Sequence, residues 1–177
     1  MQKSLLLFVF IAMACNNNEK AKTAKITEAA AKPSVTLPYL ASYSSSFEMG
    51  DPVYVATILK GEWKAWEENK MDSMKSWMAD TVLTIFSDNT SIRGSDSVVN
   101  SLKKYRAMFS NVTATINAAI PVYSTDKKEN WALIWTTEID TRLNGKKDTI
   151  IWMESWRFNK DGKADLLLQY DRAKRKL

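Results

Sequence analysis

The chain has 177 residues, with 25 Lys and Arg against 20 Asp and Glu, no His and one Cys, for a formal net charge of +5. Without His the commonest general base and metal ligand is missing. Zinc sites and Cys/His or Ser/His nucleophilic catalysis are therefore not expected, and a lone Cys excludes an intramolecular disulfide. Aromatic residues make up 11% of the sequence while Gly and Pro number only 5 and 4, a balance that argues for a packed globular core rather than a disordered or fibrous chain.

Met1-Gln2-Lys3 reads as a short basic n-region, Leu5 to Ile11 as an apolar run too short to span a bilayer, and Ala12-Met13-Ala14 as a small-x-small cleavage site. Cys15 follows at once. The segment resembles a bacterial lipoprotein signal, in which a lipid is attached to the Cys and cleavage occurs just before it; Ala12 stands where such signals usually carry Leu. Ordinary secretion with a free Cys15, or an uncleaved anchor, are the competing readings. The resemblance implies a signal peptide over 1–14, lipidation of Cys15, anchoring in a bacterial membrane, and a place in the cell envelope. Asn16 rather than Asp after the Cys implies the outer membrane rather than the inner. Residues 15–50 read as a linker, opening on Asn16-Asn17-Asn18 and running through Pro33 and Pro38 to Ser44-Ser45-Ser46. As a coil it would hold a domain on the order of 30 Å from the membrane. Leu37 to Leu40 and Tyr43 are apolar enough to lie against that domain.

The remainder, 51–177, is about 125 residues, enough for one domain with its own core. Asp51-Pro52 predicts a helix start, Asp as N-cap and Pro at the first helical position. Val55, Ile58, Leu59, Glu62, Trp63 and Trp66 then recur at helical spacing as far as Glu68-Asn69. Asp72 with Met74, Trp77 and Met78 predicts a second, short helix. Asp80 reads as a cap or turn before a strand over Thr81 to Phe86, which a turn joins to a short return over Ser91 to Arg93. Ser95 or Asp96 caps a third helix carrying Val98, Val99, Leu102, Tyr105, Met108 and Phe109. Val112, Ala114, Ile116, Ala118 and Ile120 alternate onto one strand face, with Pro121 marking a bulge or edge. From Asn130 to Tyr170, three apolar runs separated by Leu143 to Lys147 and Asn159 to Lys163 predict a three-stranded antiparallel meander.

Helix, short helix, two strands, helix and four strands make an α+β class with a mostly antiparallel sheet. That order resembles the nuclear transport factor 2-like superfamily, and more narrowly its SnoaL-like proteins. The resemblance is carried by Asp80-Thr81-Val82, Gly94 to Val98, Asn130 to Trp135 and Phe158 to Lys163, and spans about Pro52 to Arg172. It implies a cone-shaped, strongly curved sheet packed against about three N-terminal helices. It also implies an apolar pocket within the cone and homodimerisation through the outer sheet face.

Candidate chemistry centres on three strand carboxylates. Trp131, Leu133, Trp135, Thr137 and Ile139 share one face of the first meander strand, and Ala132, Ile134, Thr136, Glu138 and Asp140 share the other. On the next strand Trp152, Glu154, Trp156 and Phe158 lie together. A carboxylate among aromatic rings can have a raised pKa and move a proton, and some members of the resembled superfamily use an Asp or Glu in this way. The bland alternative is a solvated sheet face on which Glu138, Asp140 and Glu154 pair with Arg142 or Arg157. The Asp–Arg–Asp type of epoxide hydrolysis has only Asp140, Arg142 and Glu154 to draw on, with no spacing motif behind them. Trp63, Trp66, Trp77, Trp135 and Trp156, with the hydroxyls of Tyr105 and Tyr170, are the candidate ligand-binding set. Core packing is the alternative for each.

The expected function is a membrane-tethered domain binding a small apolar or amphipathic ligand, without an identifiable catalytic set. A carboxylate-dependent isomerase, lyase or hydrolase is one alternative and a dimeric protein-interaction module is another. No cofactor or metal is implied. No nucleic-acid partner is implied either, because the basic tail from Asp171 to Leu177 carries no recognition motif and reads as a solvated end or a weak contact with anionic headgroups.

Overall fold

The computed structural model describes residues 38–173. Cys15, the leader before it and most of the expected linker lie outside the described residues. The elements in chain order are β1 (Phe47–Met49), α1 (Pro52–Ile58), a π-helical segment (Leu59–Trp63), α2 (Lys64–Glu67), a 3-10 turn (Met71–Ser76), β2 (Met78–Ile85), β3 (Ser91–Arg93), α3 (Ser95–Arg106), β4 (Phe109–Ser124), β5 (Glu129–Arg142), β6 (Lys147–Phe158) and β7 (Ala164–Ala173). The class is α+β, as the element order predicts. One open sheet runs β1-β4-β5-β6-β7-β2-β3. All its pairs are antiparallel except β2 with β7.

The first helix starts as its sequence predicts. Asp51 Oδ1 accepts from the Val53 N–H at 2.8 Å and Pro52 occupies the first turn, where a missing N–H costs nothing. The helix does not run on as one α-helix. It widens into the π segment, which buries Glu62 and Trp63, and then resumes as α2. Gly61 permits that course: a Cβ there would lie 2.2 Å from Trp77 Nε1. A π-turn is rare and often sits at a functional site, because it re-aims side chains that a regular helix would point elsewhere.

Four sequence expectations are corrected. The strand of 47–49 pairs with 122–124 of β4, so the sheet begins inside the stretch read as linker. Asp80 sits within β2 rather than capping it. The residue before α3 is Gly94, at φ +94°, so neither Ser95 nor Asp96 is the cap. The alternation on β4 breaks between Ile116 and Ala118, where the register against β5 shifts. This bulge, not Pro121, inserts the extra residue and reverses the faces. Val112, Ala114 and Ile116 therefore pair opposite Asp140, Glu138 and Thr136, whereas Ala118 and Ile120 pair opposite Trp135 and Leu133.

The meander is as predicted, with Gly145 and Gly162 at positive φ in its two turns. Tyr43, ahead of β1, stands edge-on to Trp131 with ring centres 6.2 Å apart. The main core lies between the helices and the inner sheet face. Ile58, Met71, Met74, Val98 and Val99 from the helical side, with Val82 of β2, pack together with Ala132, Ile134, Trp156 and Phe158.

Candidate functional site

The inner face of the meander is the even-numbered one on β5 and β6. Ala132, Ile134, Thr136, Glu138 and Asp140 are buried on β5, and Glu154, Trp156 and Phe158 on β6. The reading of Glu138, Asp140 and Glu154 as a solvated, salt-bridged face is thereby corrected. Arg142 pairs with Asp148, and Arg157 with Asp165 and Glu129, so neither forms a salt bridge with the three inner carboxyls. The odd-numbered face of β5, with Leu133, Trp135, Thr137 and Ile139, is the outer one.

Above the inner face is a cavity of about 350 Å³. Glu62, Trp63 and Trp66 line it from the first helix, Ser101, Leu102 and Tyr105 from α3, and Glu138, Trp152, Glu154 and Gln169 from the meander. Met74, Ile92 and the β2–β3 turn (Phe86, Ser87, Asp88, Thr90) complete the wall.

Glu138 is the centre of the polar chemistry. Trp66 Nε1 donates to its Oε1 at 2.8 Å and Trp152 Nε1 to its Oε2 at 2.5 Å. Burial and the neighbouring Asp140 carboxyl push its pKa up to about 8, against the pull of the two indoles. Asp140 is fully buried. Burial raises its pKa, while the Glu138 proton and the charges of Arg106 and Arg142 hold it back. The pair thus holds a proton on the Glu138 side at neutral pH. Arg106 is itself buried, donating to the Trp66, Phe109 and Glu67 carbonyls at 2.8, 3.0 and 3.2 Å. That fork fixes the Trp66 backbone, and Tyr105 stacks on the Trp66 ring at 6.0 Å.

A second acidic pair lies deeper. Glu154 accepts from Gln169 Nε2 at 2.9 Å and from Trp156 Nε1 at 3.3 Å. Glu62 faces it, and burial, then the Glu154 charge, hold Glu62 well above the usual carboxylate range. Burial also raises Glu154, which the donors around it, first Gln169, partly offset. Two carboxyls facing each other in a dry site do not both ionise readily, so the pair shares a proton, with Glu62 the more strongly raised of the two. Among the described residues no group of three or more His, Cys, Asp or Glu is arranged to hold a metal ion.

No family model matches the sequence, and no curated protein does. Solved structures do match. A SnoaL-like protein of unknown function from Burkholderia thailandensis is 13% identical, with a TM-score of 0.54 over 71% of this chain and 100% of its own. A Mycobacterium tuberculosis protein in complex with estradiol-17beta-hemisuccinate is 14% identical, with a TM-score of 0.54 over 66% and 92%. A Delta 5-3-ketosteroid isomerase from Mycobacterium sp. is 15% identical, with a TM-score of 0.53 over the same shares. The chain has a nuclear transport factor 2-like fold.

Within that nuclear transport factor 2-like fold the sequence-predicted residues divide. Trp63, Trp66, Tyr105, Glu138 and Glu154 come together on the cavity wall. Asp140 lies behind Glu138 and does not reach the cavity. Trp77 and Trp156 are corrected to core residues: they meet edge to face at 5.2 Å and are buried among the Met side chains and Phe158. Trp135 and Tyr170 are corrected to the outer face, where both pair opposite Met153, because their strand parity points them away from the helices. Glu62, Trp152 and Gln169 add to the polar lining beside Glu138 and Glu154 without having been singled out as site residues. Glu62 stands in the helical repeat with Ile58, Trp63 and Trp66, and an acid on an apolar face was its available signal. Gln169 had none.

Proposed function

We propose that the domain binds a small, largely apolar molecule whose polar end meets the inner carboxyls. The observation that carries this reading is the cavity itself, walled by Trp63, Trp66, Trp152 and Tyr105, with Glu62, Glu138 and Glu154 turned into it. A concave apolar site with a few convergent polar groups and perturbed titrations is what ligand recognition requires. The M. tuberculosis protein of the same fold, in complex with estradiol-17beta-hemisuccinate, is consistent with such a ligand. The test is calorimetric titration of the full chain with phenylpropanol, phenylpropylamine and phenylpropanoate, which share one apolar body and differ in the polar end. Saturable binding of at least one, abolished by the cavity-filling Leu102→Trp, is expected. Binding of none, or binding that ignores Leu102→Trp, contradicts the reading.

A second reading is favoured by one observation, the Glu138 carboxyl with its pKa near 8 on the cavity wall. Such a group holds a proton at neutral pH and becomes a base just above it, as general acid–base catalysis of an isomerisation needs. The isomerase of the same fold makes a proton shift within an unsaturated ketone the reaction to assay. Turnover that rises with pH through about 8 and is lost in Glu138→Gln would establish this reading; absence of turnover leaves the binding domain.

The proposal extends to location and assembly. The chain is read as exported and lipid-anchored through Cys15, in the outer membrane, which metabolic labelling with a palmitate analogue and its loss in Cys15→Ser would test. A homodimer through the outer sheet face is supported by the row Trp135, Met153 and Tyr170 across β5, β6 and β7, with Ile120 and Ile139 exposed nearby. Sedimentation of the full chain as a monomer at high concentration would end that part.

A further inference from the structure

The charge of the cavity runs against the charge of the chain. A protein with a net charge of +5 places Glu62, Glu138 and Glu154 on the cavity wall and Asp88 at the same rim, with no Lys or Arg among the lining residues. The four acids are not equivalent. Glu138 is satisfied by two indole N–H groups and Glu154 by Gln169 and Trp156. Asp88 accepts from the Thr90 amide and hydroxyl at 2.9 and 2.7 Å. Glu62 is different. It is nine-tenths buried, and no side chain or backbone N–H donates to its Oε2. What faces it is another acid, Glu154, with Glu138 as the next charge and the Trp156 indole alongside.

We propose that the cavity takes a small amphipathic ammonium compound, its cationic nitrogen seated between Glu62 and Glu154 and its apolar body against Trp63, Trp66 and Trp152. This rests on the reading of the cavity as a ligand site and names the class of ligand. An ammonium supplies the donors that Glu62 lacks and replaces the proton the two acids share. One proton leaves to water for each cation bound. The indole faces add attraction for positive charge and none for an anion. A ligand carboxylate would set a third acid beside two that already do not both ionise readily. A neutral alcohol fits the apolar wall and leaves the shared proton in place.

The three phenylpropyl compounds separate these cases in calorimetric titrations of the full chain near neutral pH, repeated in two buffers of different ionisation heat. Phenylpropylamine is expected to bind about tenfold or more tighter than phenylpropanol, with phenylpropanoate weakest. About one proton should be released with the amine and none with the alcohol. Amine affinity should tighten as pH rises, because each binding event expels a proton. Glu62→Gln should erase the amine's advantage over the alcohol, and an unchanged far-ultraviolet dichroism spectrum would show that the variant folds. Equal binding of alcohol and amine, an amine affinity flat with pH in the unsubstituted chain, or an amine preference that survives Glu62→Gln overturns this proposal and leaves the ligand site standing. Failure of all three compounds to bind overturns the ligand-site reading, and this inference with it.

Discussion

Trp66 reaches from α2 to the sheet and donates its indole N–H to Glu138 Oε1 at 2.8 Å, across a sequence separation of 72 residues. This bond joins the helical layer to the meander at the point where the cavity opens. It holds a carboxyl group whose nitrogen donors are two indole N–H groups rather than a Lys or Arg among the described residues. Trp66→Phe keeps the ring and removes the donor. The pKa of Glu138 should then rise above its value of about 8, read from the pH dependence of its carboxyl carbon resonance. Stability should fall by about 1–3 kcal/mol, the usual cost of leaving a buried polar group without its partner.

The inner acids should give the domain an unusual dependence on pH. Glu62, Glu138, Asp140 and Glu154 all have folded pKa values above their unfolded ones. The folded state therefore binds more protons than the unfolded chain over that interval, and stability falls as pH rises through it. For Glu138 the interval runs from the ordinary carboxyl value of 4.5 to about 8. Urea midpoints should be higher near pH 5 than near pH 8, corresponding to a difference in unfolding free energy on the order of a few kcal/mol. Glu138→Gln should flatten the slope. A midpoint that rises over the same range would contradict the burial of these groups.

Arg106 is a structural clamp rather than a surface charge. Its guanidinium spans three backbone carbonyls on α2 and at the start of β4. Lys offers one nitrogen and no fork, so Arg106→Lys leaves carbonyls unpaired. Chemical denaturation should show a loss of about 2–4 kcal/mol.

Gly61 allows the π segment to pass Trp77. Gly61→Ala puts a methyl 2.2 Å from Trp77 Nε1 and 2.6 Å from its Cδ1, and Trp77 is already packed edge-on to Trp156. Overpacking of this kind costs about 1–3 kcal/mol and should also shift the near-ultraviolet dichroism of the buried Trp residues.

Much of the fold was legible in the chain because local signals are strong where they matter. Asp51-Pro52 and the Gly-containing turns of the meander are read directly from residue chemistry. The faces of β5 were legible as two sets, but not which set turns inward. Trp131, Leu133, Trp135 and Ile139 are the more apolar set, yet the structure buries Glu138 and Asp140. The reason is tertiary: Trp66, Trp152 and Arg106 supply donors and charge that no pattern along β5 reveals. The bulge beyond Ile116 was hidden for a similar reason. One extra residue reverses an alternation that otherwise looks unbroken from Val112 to Ile120. Glu62 needed the π segment to aim it, and nothing short of the backbone course shows that.

The most direct measurement follows the seven indole N–H resonances during titration of the full chain with phenylpropylamine. The account predicts saturable shifts at Trp63, Trp66 and Trp152, which line the cavity, with Trp135 on the outer face unmoved. Absence of saturable shifts at those three, or shifts at Trp135 as large as theirs, would contradict a ligand cavity on the inner face of the sheet.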